Sequence, residues 1–147
     1  MSRVQERDDP APDLTVPWVL PSGPSSVTLA RRAARQQLAD LGLRSPELLD
    51  TVELLVSELT ANVVKHVGGR ATLKIVRIAG VIRIEVCDAN PTRVPVERDM
   101  DVDATSGRGL LLVSSLATAW GFDRDDDAKC TWAEIDLANF SPSSASR

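Results

Sequence analysis

Between Glu53 and Gly69 the apolar residues Leu54, Leu55, Leu59, Val63 and Val67 recur at three- and four-residue intervals, which predicts an amphipathic helix. Ser45-Pro46-Glu47 supplies its start, as an N-cap, a proline at the first helical position and a first-turn carboxylate. Gly68-Gly69 ends it. Glu58, Asn62 and His66 also recur, each four residues after the last, so their side chains stack in one stripe beside the core-facing one. Such a stripe either lines a pocket wall or is a solvated face, the commoner use of polar residues on a helix.

Around this helix the pattern predicts a strand, a helix, a hairpin, a further helix and a second hairpin. Leu14 to Leu20 reads as a short strand, and Pro17 within it argues for an edge position or a bulge. After the turn Pro21–Pro24, a helix capped by Ser25 or Ser26 runs to about Asp40 and stops at Gly42. Its apolar side carries Val27, Ala30, Ala34, Leu38 and Leu41, and its basic side Arg31, Arg32 and Arg35. That basic side is either a contact for an acidic partner or simply solvated.

Ala71–Ala79 and Val81–Asp88 form a hairpin through Gly80. In its second strand Ile82, Ile84 and Val86 share a face, with Arg83 and Glu85 opposite. One more step of the alternation puts Asp88 on the isoleucine face. A carboxylate there either turns into solvent or accepts a specific donor, because burial without a partner is too costly. A polar connection over 89–106 follows, long enough to be a lid, a binding loop or disorder. It ends at Ser106-Gly107-Arg108-Gly109-Leu110, ahead of a helix over 111–119. This glycine-rich turn either presents backbone N–H groups to a phosphate or only opens the helix. Ala119–Arg124 and Lys129–Leu137 make a second hairpin across Asp125–Asp127. The order predicts an α+β two-layer sandwich, a mixed or antiparallel sheet of about five strands covered on one face by three helices.

Composition narrows the class. At 147 residues one domain is expected, over 14–138, with disordered tails at 1–13 and 139–147. A net charge of −4 without a basic run argues against nucleic acid as a partner. The polar N-terminus and the lack of any apolar run of ~20 residues argue against a signal peptide and a membrane span, so a cytoplasmic location is expected. The two cysteines, Cys87 and Cys130, then fit reduced thiols better than a disulfide framework.

The ordered set Glu58-x-x-x-Asn62-x-x-x-His66, then Asp88, then Ser106-Gly107-Arg108-Gly109-Leu110 resembles the ATP site of the GHKL (Bergerat-fold, histidine-kinase-like) ATPases. Within that family it looks most like the small bacterial serine kinases that act as anti-sigma factors. The resemblance covers roughly 14–138. It implies ATP and Mg²⁺ as cofactors, a sigma factor and an anti-anti-sigma antagonist as partners, and a homodimer. By position it implies Asn62 as the Mg²⁺ ligand and Glu58 as the general base toward a serine hydroxyl or water. Asp88 would accept the adenine amino group in an apolar slot. Gly107 and Gly109 would let backbone amides reach the phosphates, within the stretch Ser106 to Leu110. Arg108 either adds charge there or is solvated. His66 falls where the family has a histidine near the nucleotide, and otherwise caps the helix end.

Some positions depart from the family. Asp88-Ala89-Asn90-Pro91 stands where the first glycine box reads Asp-x-Gly-x-Gly, leaving Asn90 as the replacement contact. Thr105 stands where related kinases carry a basic residue, and Thr131 is the candidate for the family's threonine near adenine. The departures favour nucleotide binding over vigorous phosphoryl transfer, so the alternative is a catalytically weak or inactive ATP-binding interaction module of the same fold. A detached sensor-kinase domain fits less well, because the only histidine is His66 and no phosphoacceptor helix accompanies it.

Overall fold

The computed structural model describes residues 13–21, 23–67, 70–88, 112–124 and 129–140. In chain order these form β1 (Asp13–Leu14), β2 (Trp18–Leu20), α1 (Ser25–Asp40) and α2 (Pro46–Val67). The hairpin β3 (Ala71–Ile78) and β4 (Val81–Asp88) follows. Helical residues 112–116, the described part of α3, precede the second hairpin, β5 (Ala119–Arg124) and β6 (Lys129–Asp136), and a 3-10 turn at Leu137–Phe140. The sheet has six strands in the order β1-β3-β4-β6-β5, with β2 also on β3. Every pairing among the described residues is antiparallel, which resolves the expected mixed or antiparallel sheet as antiparallel.

Local chemistry accounts for the breaks. Pro17 lacks a ladder donor, and the expected single strand over 14–20 is two short pieces, each paired with β3. Thr15 fills the gap between them. Its Oγ1 lies 2.8 Å from Gln37 Oε1 and 2.9 Å from the Ile75 carbonyl oxygen, so the irregular backbone is tied to both β3 and α1. At the end of α1, Gly42 takes φ 78°. The Gly42 N–H donates to the Ala39 carbonyl and the Leu43 N–H to the Leu38 carbonyl, each at 2.9 Å, a Schellman ending that glycine favours. The Leu48 N–H donates to Ser45 Oγ at 3.3 Å, the cap expected for α2.

The two long helices cover one face of the sheet. Leu38 from α1, Leu55 and Leu59 from α2, and Ile75, Ile84 and Ile135 from the strands are all buried, each contributing about 1.5–3 kcal/mol of hydrophobic stabilisation. The basic side of α1 turns out to join the helices. Arg31 Nε donates to Ser57 Oγ at 2.7 Å, and Arg35 forms an ion pair with Glu53. Arg32 remains exposed.

The opposite face of the sheet carries the residues that alternate outward. Arg83 is its hub, donating to Glu85 at 2.7 Å, Glu134 at 3.0 Å and Asp123 at 3.1 Å while stacking 4.2 Å from the centre of the Trp132 ring. Burial by itself would lower the Arg83 pKa, but the hydrogen bonds and charges of Glu85 and Glu134 outweigh it and the net direction is upward. Cys87 and Cys130 are rung partners on this face and form a disulfide, which corrects the expectation of two reduced thiols. Forty-three residues separate them in sequence, and only the β4–β6 register brings them together.

Candidate functional site

The inner face of β4 ends on Asp88, which is 5% exposed. The expected carboxylate on the isoleucine face is therefore buried, not turned into solvent. The β4–β6 ladder pairs Val86 with Thr131 and Cys87 with Cys130. Continuing that register by one residue sets Asp88 opposite Lys129, also 5% exposed. Lys129 Nζ lies 5.6 Å from the centre of the Phe122 ring. Neither Asp88 nor Lys129 is without a partner, as burial of charged groups demands.

Thr131 occupies the next inward position, fully buried, and its Oγ1 has no hydrogen-bond partner. Leaving a buried hydroxyl unmatched costs about 1–3 kcal/mol. Such an atom beside a buried carboxylate suits a ligand that carries both a donor and an acceptor. The two groups lie diagonally across neighbouring strands, ~7–8 Å apart by ladder geometry.

The C-terminal half of α2 lies at this same end. Three residues, 68–70, connect Val67 to Ala71, and Ala71 is the rung partner of Asp88. Glu58 and Asn62, both half-buried, sit one turn apart, about 6 Å along the axis. Thr60 between them is fully buried, and its hydroxyl also lacks a partner. His66 belongs to the last turn of α2, but its side chain is outside the described residues. Asn90, the expected lid over 89–106, and Ser106, Gly107, Arg108, Gly109 and Leu110 lie outside them as well. The described part of α3, residues 112–116, is anchored by buried Val113 and by Trp120 Nε1–H donating to Ser114 Oγ at 2.9 Å.

Lys129 was not singled out by sequence reasoning, yet its signal was present. Lys129, Thr131, Ala133 and Ile135 alternate on one face, so a cation heads an apolar face just as Asp88 ends one. Among the described residues, no group of three His, Cys, Asp or Glu is placed to hold a metal ion, and no helix is long and apolar enough to cross a membrane. A cavity of about 270 Å³ lined by Arg44, Arg77, Leu48, Leu137 and Phe140, among others, lies at the start of α2, the opposite end of the sheet from Asp88.

Two helices are thus layered on one face of an antiparallel sheet, with a buried carboxylate at the strand end beside the second helix. The sequence profile of the histidine kinase-like ATPase domain matches residues 20–135, and the chain belongs to that family. Membership implies ATP binding. Two solved structures show the same fold. A SiaB–SiaC complex from Pseudomonas aeruginosa matches with TM-score 0.56 and 14% identity, over 83% of this chain and 89% of that one. The RsbU and RsbW domains of Rv1364c from Mycobacterium tuberculosis match with TM-score 0.59 and 15% identity, over 83% of this chain and 32% of that one. This chain therefore spans about a third of the latter. Among curated proteins none matches.

Proposed function

We propose that this domain is an ATP- and Mg²⁺-binding anti-sigma factor that sequesters a sigma factor and phosphorylates a serine of an anti-anti-sigma antagonist. The observation that carries the nucleotide part is the pair formed by buried Asp88 and the unmatched Thr131 hydroxyl on one inner face. That donor set fits adenine, whose amino group donates to the carboxylate while a ring nitrogen accepts from the hydroxyl.

The remaining roles follow from chemistry and from the family resemblance. Asn62 offers an oxygen to a hard divalent cation, and Glu58, one turn earlier, would take the proton of the attacking serine hydroxyl. Bound MgATP supplies the phosphoryl group and most of the charge neutralisation, so positioning is the main demand on the protein. One of the similar structures is a complex of two proteins, SiaB and SiaC, which supports a protein partner for this domain. The homodimer is carried by the resemblance alone.

A second reading is favoured by Asp88-Ala89-Asn90-Pro91, where both glycines of the family's first box are missing. It makes the domain an ATP-binding interaction module with little or no phosphoryl transfer. Incubation with γ-labelled ATP and the cognate antagonist separates the two. The kinase reading expects label on a serine of the antagonist, reduced about 10²–10⁴-fold by Glu58→Ala. Nucleotide binding without any label transfer supports the module, and transfer that is indifferent to Glu58→Ala removes Glu58 from the mechanism.

A further inference from the structure

We infer that the Cys87–Cys130 disulfide is a thiol-exchange site through which a dithiol reductant lowers the affinity of the nucleotide site. The inference rests on the nucleotide reading above and adds a control point to it.

Each half-cystine immediately precedes a residue of the proposed adenine contact. Cys87 is followed by Asp88 and Cys130 by Thr131. Strand alternation then separates chemistry from control. Asp88 and Thr131 face inward and are buried, while Cys87 and Cys130 face outward and are half-buried. On that outward face the rung runs Thr72, Cys87, Cys130, Asp123 across β3, β4, β6 and β5. The two long helices cover the other side, so the sulfur atoms lie on the face of the sheet away from the nucleotide site.

The bond also clamps the last rung of the β4–β6 ladder. Val81↔Asp136 is one end of the β4–β6 register and Cys87↔Cys130 the other. Rungs at the end of a ladder open more readily than internal ones. With the sulfur atoms joined, the spacing between Asp88 and Thr131 is fixed by a covalent link one residue away from each. Once they are separated, that spacing depends on the last hydrogen bonds of the ladder.

The exchange is balanced as follows. One thiolate of the dithiol attacks a sulfur of the pair, the Cys87–Cys130 bond breaks, and a mixed disulfide forms. The second thiol of the reductant then displaces the remaining cysteine as thiolate. Both cysteines finish as thiols, having gained two electrons and two protons, and the reductant leaves as a disulfide. Fraying lowers the fraction of molecules with Asp88 and Thr131 correctly spaced, and the apparent Kd rises by the inverse of that fraction. A competent fraction of one tenth raises it about tenfold.

The test is calorimetric titration with MgATP of the full chain, oxidised, reduced with dithiothreitol, and as the double variant Cys87→Val/Cys130→Val, which keeps an apolar cross-strand pair without a bond. Circular dichroism and hydrogen exchange at Asp88 and Thr131 accompany each sample. The expected result is a folded reduced protein that binds about tenfold more weakly, with faster exchange at those two amides. The valine variant should match the reduced protein and ignore dithiothreitol. Equal affinity in the oxidised and reduced states overturns the inference while leaving the nucleotide reading intact. Binding in neither state ends both. A chain that unfolds on reduction, thiols that titrate free before any reductant is added, or a valine variant that still responds to dithiothreitol also overturns it, because the bond is then a structural staple, absent, or irrelevant.

Discussion

Replacing Thr131 with valine separates a binding role from a folding role. The Thr131 side chain is fully buried and its Oγ1 finds no partner, whereas valine has nearly the same shape with a methyl in place of the hydroxyl. Without nucleotide, removing an unmatched buried hydroxyl recovers part of its desolvation cost, about 1–2 kcal/mol. For a domain of this size that raises the midpoint of thermal unfolding by about 3–8 °C. Nucleotide binding opposes that gain, because valine cannot meet the purine and a hydrogen bond of about 0.5–1.5 kcal/mol is lost, weakening affinity by about 2–12-fold. The assay is thermal unfolding of wild type and Thr131→Val across a series of MgATP concentrations. The two sets of midpoints should approach each other as nucleotide increases. If Thr131→Val melts lower than wild type without nucleotide, the hydroxyl has a partner in the folded chain. If the nucleotide-induced shift is unchanged, Thr131 takes no part in binding.

Other perturbations follow from the outer face of the sheet. Reducing Cys87–Cys130 releases a link across 43 residues, and the chain-entropy relation gives a loss of about 4 kcal/mol, seen as a lower unfolding midpoint in reductant and no such change in Cys87→Val/Cys130→Val. Gly121→Ala places a Cβ 2.9 Å from Trp132 Cζ2, so the indole must leave its stack on Arg83. A loss of about 1–2 kcal/mol and an altered near-ultraviolet dichroism are expected, and an unchanged spectrum would mean that the indole does not lie across Gly121. Arg83→Met leaves Glu85, Glu134 and Asp123 facing one another without their shared cation, at about 1–2 kcal/mol near neutral pH. In wild type the Arg83 pKa is raised, so its contribution is present throughout the range below the ordinary arginine value and is lost only above the raised one. Denaturant titrations compared at neutral pH and near pH 10 should therefore show no loss traceable to Arg83.

Features that depend on neighbours along the chain were legible before the coordinates. The alternation of β4 carries through to a buried Asp88, the Ser45-Pro46-Glu47 start of α2 is where the cap forms, and Gly42 ends α1 through the positive φ that glycine permits. Features that depend on register were not. Cys87 and Cys130 meet only because β6 skips past β5 to lie on β4, and nothing in their spacing specifies that. Arg31 and Arg35 look like a free basic stripe on an isolated helix, and become helix–helix links once Ser57 and Glu53 are brought alongside. Lys129 was overlooked because a lone lysine at a strand start reads as solvated, although its face was readable from Thr131, Ala133 and Ile135. Pro17 signalled irregularity, but the division of that edge into two strands, with Thr15 bridging the gap, required the positions of Gln37 and Ile75.

The central claim is that Asp88 anchors a purine nucleotide, and isothermal titration of MgATP into wild type and Asp88→Asn, with circular dichroism to show that both are folded, tests it most directly. The account predicts saturable one-site binding to wild type and a loss of about 10–100-fold in Asp88→Asn, the worth of a charge-assisted hydrogen bond. Wild type that takes up no nucleotide, or a folded Asp88→Asn that binds as tightly as wild type, would contradict it.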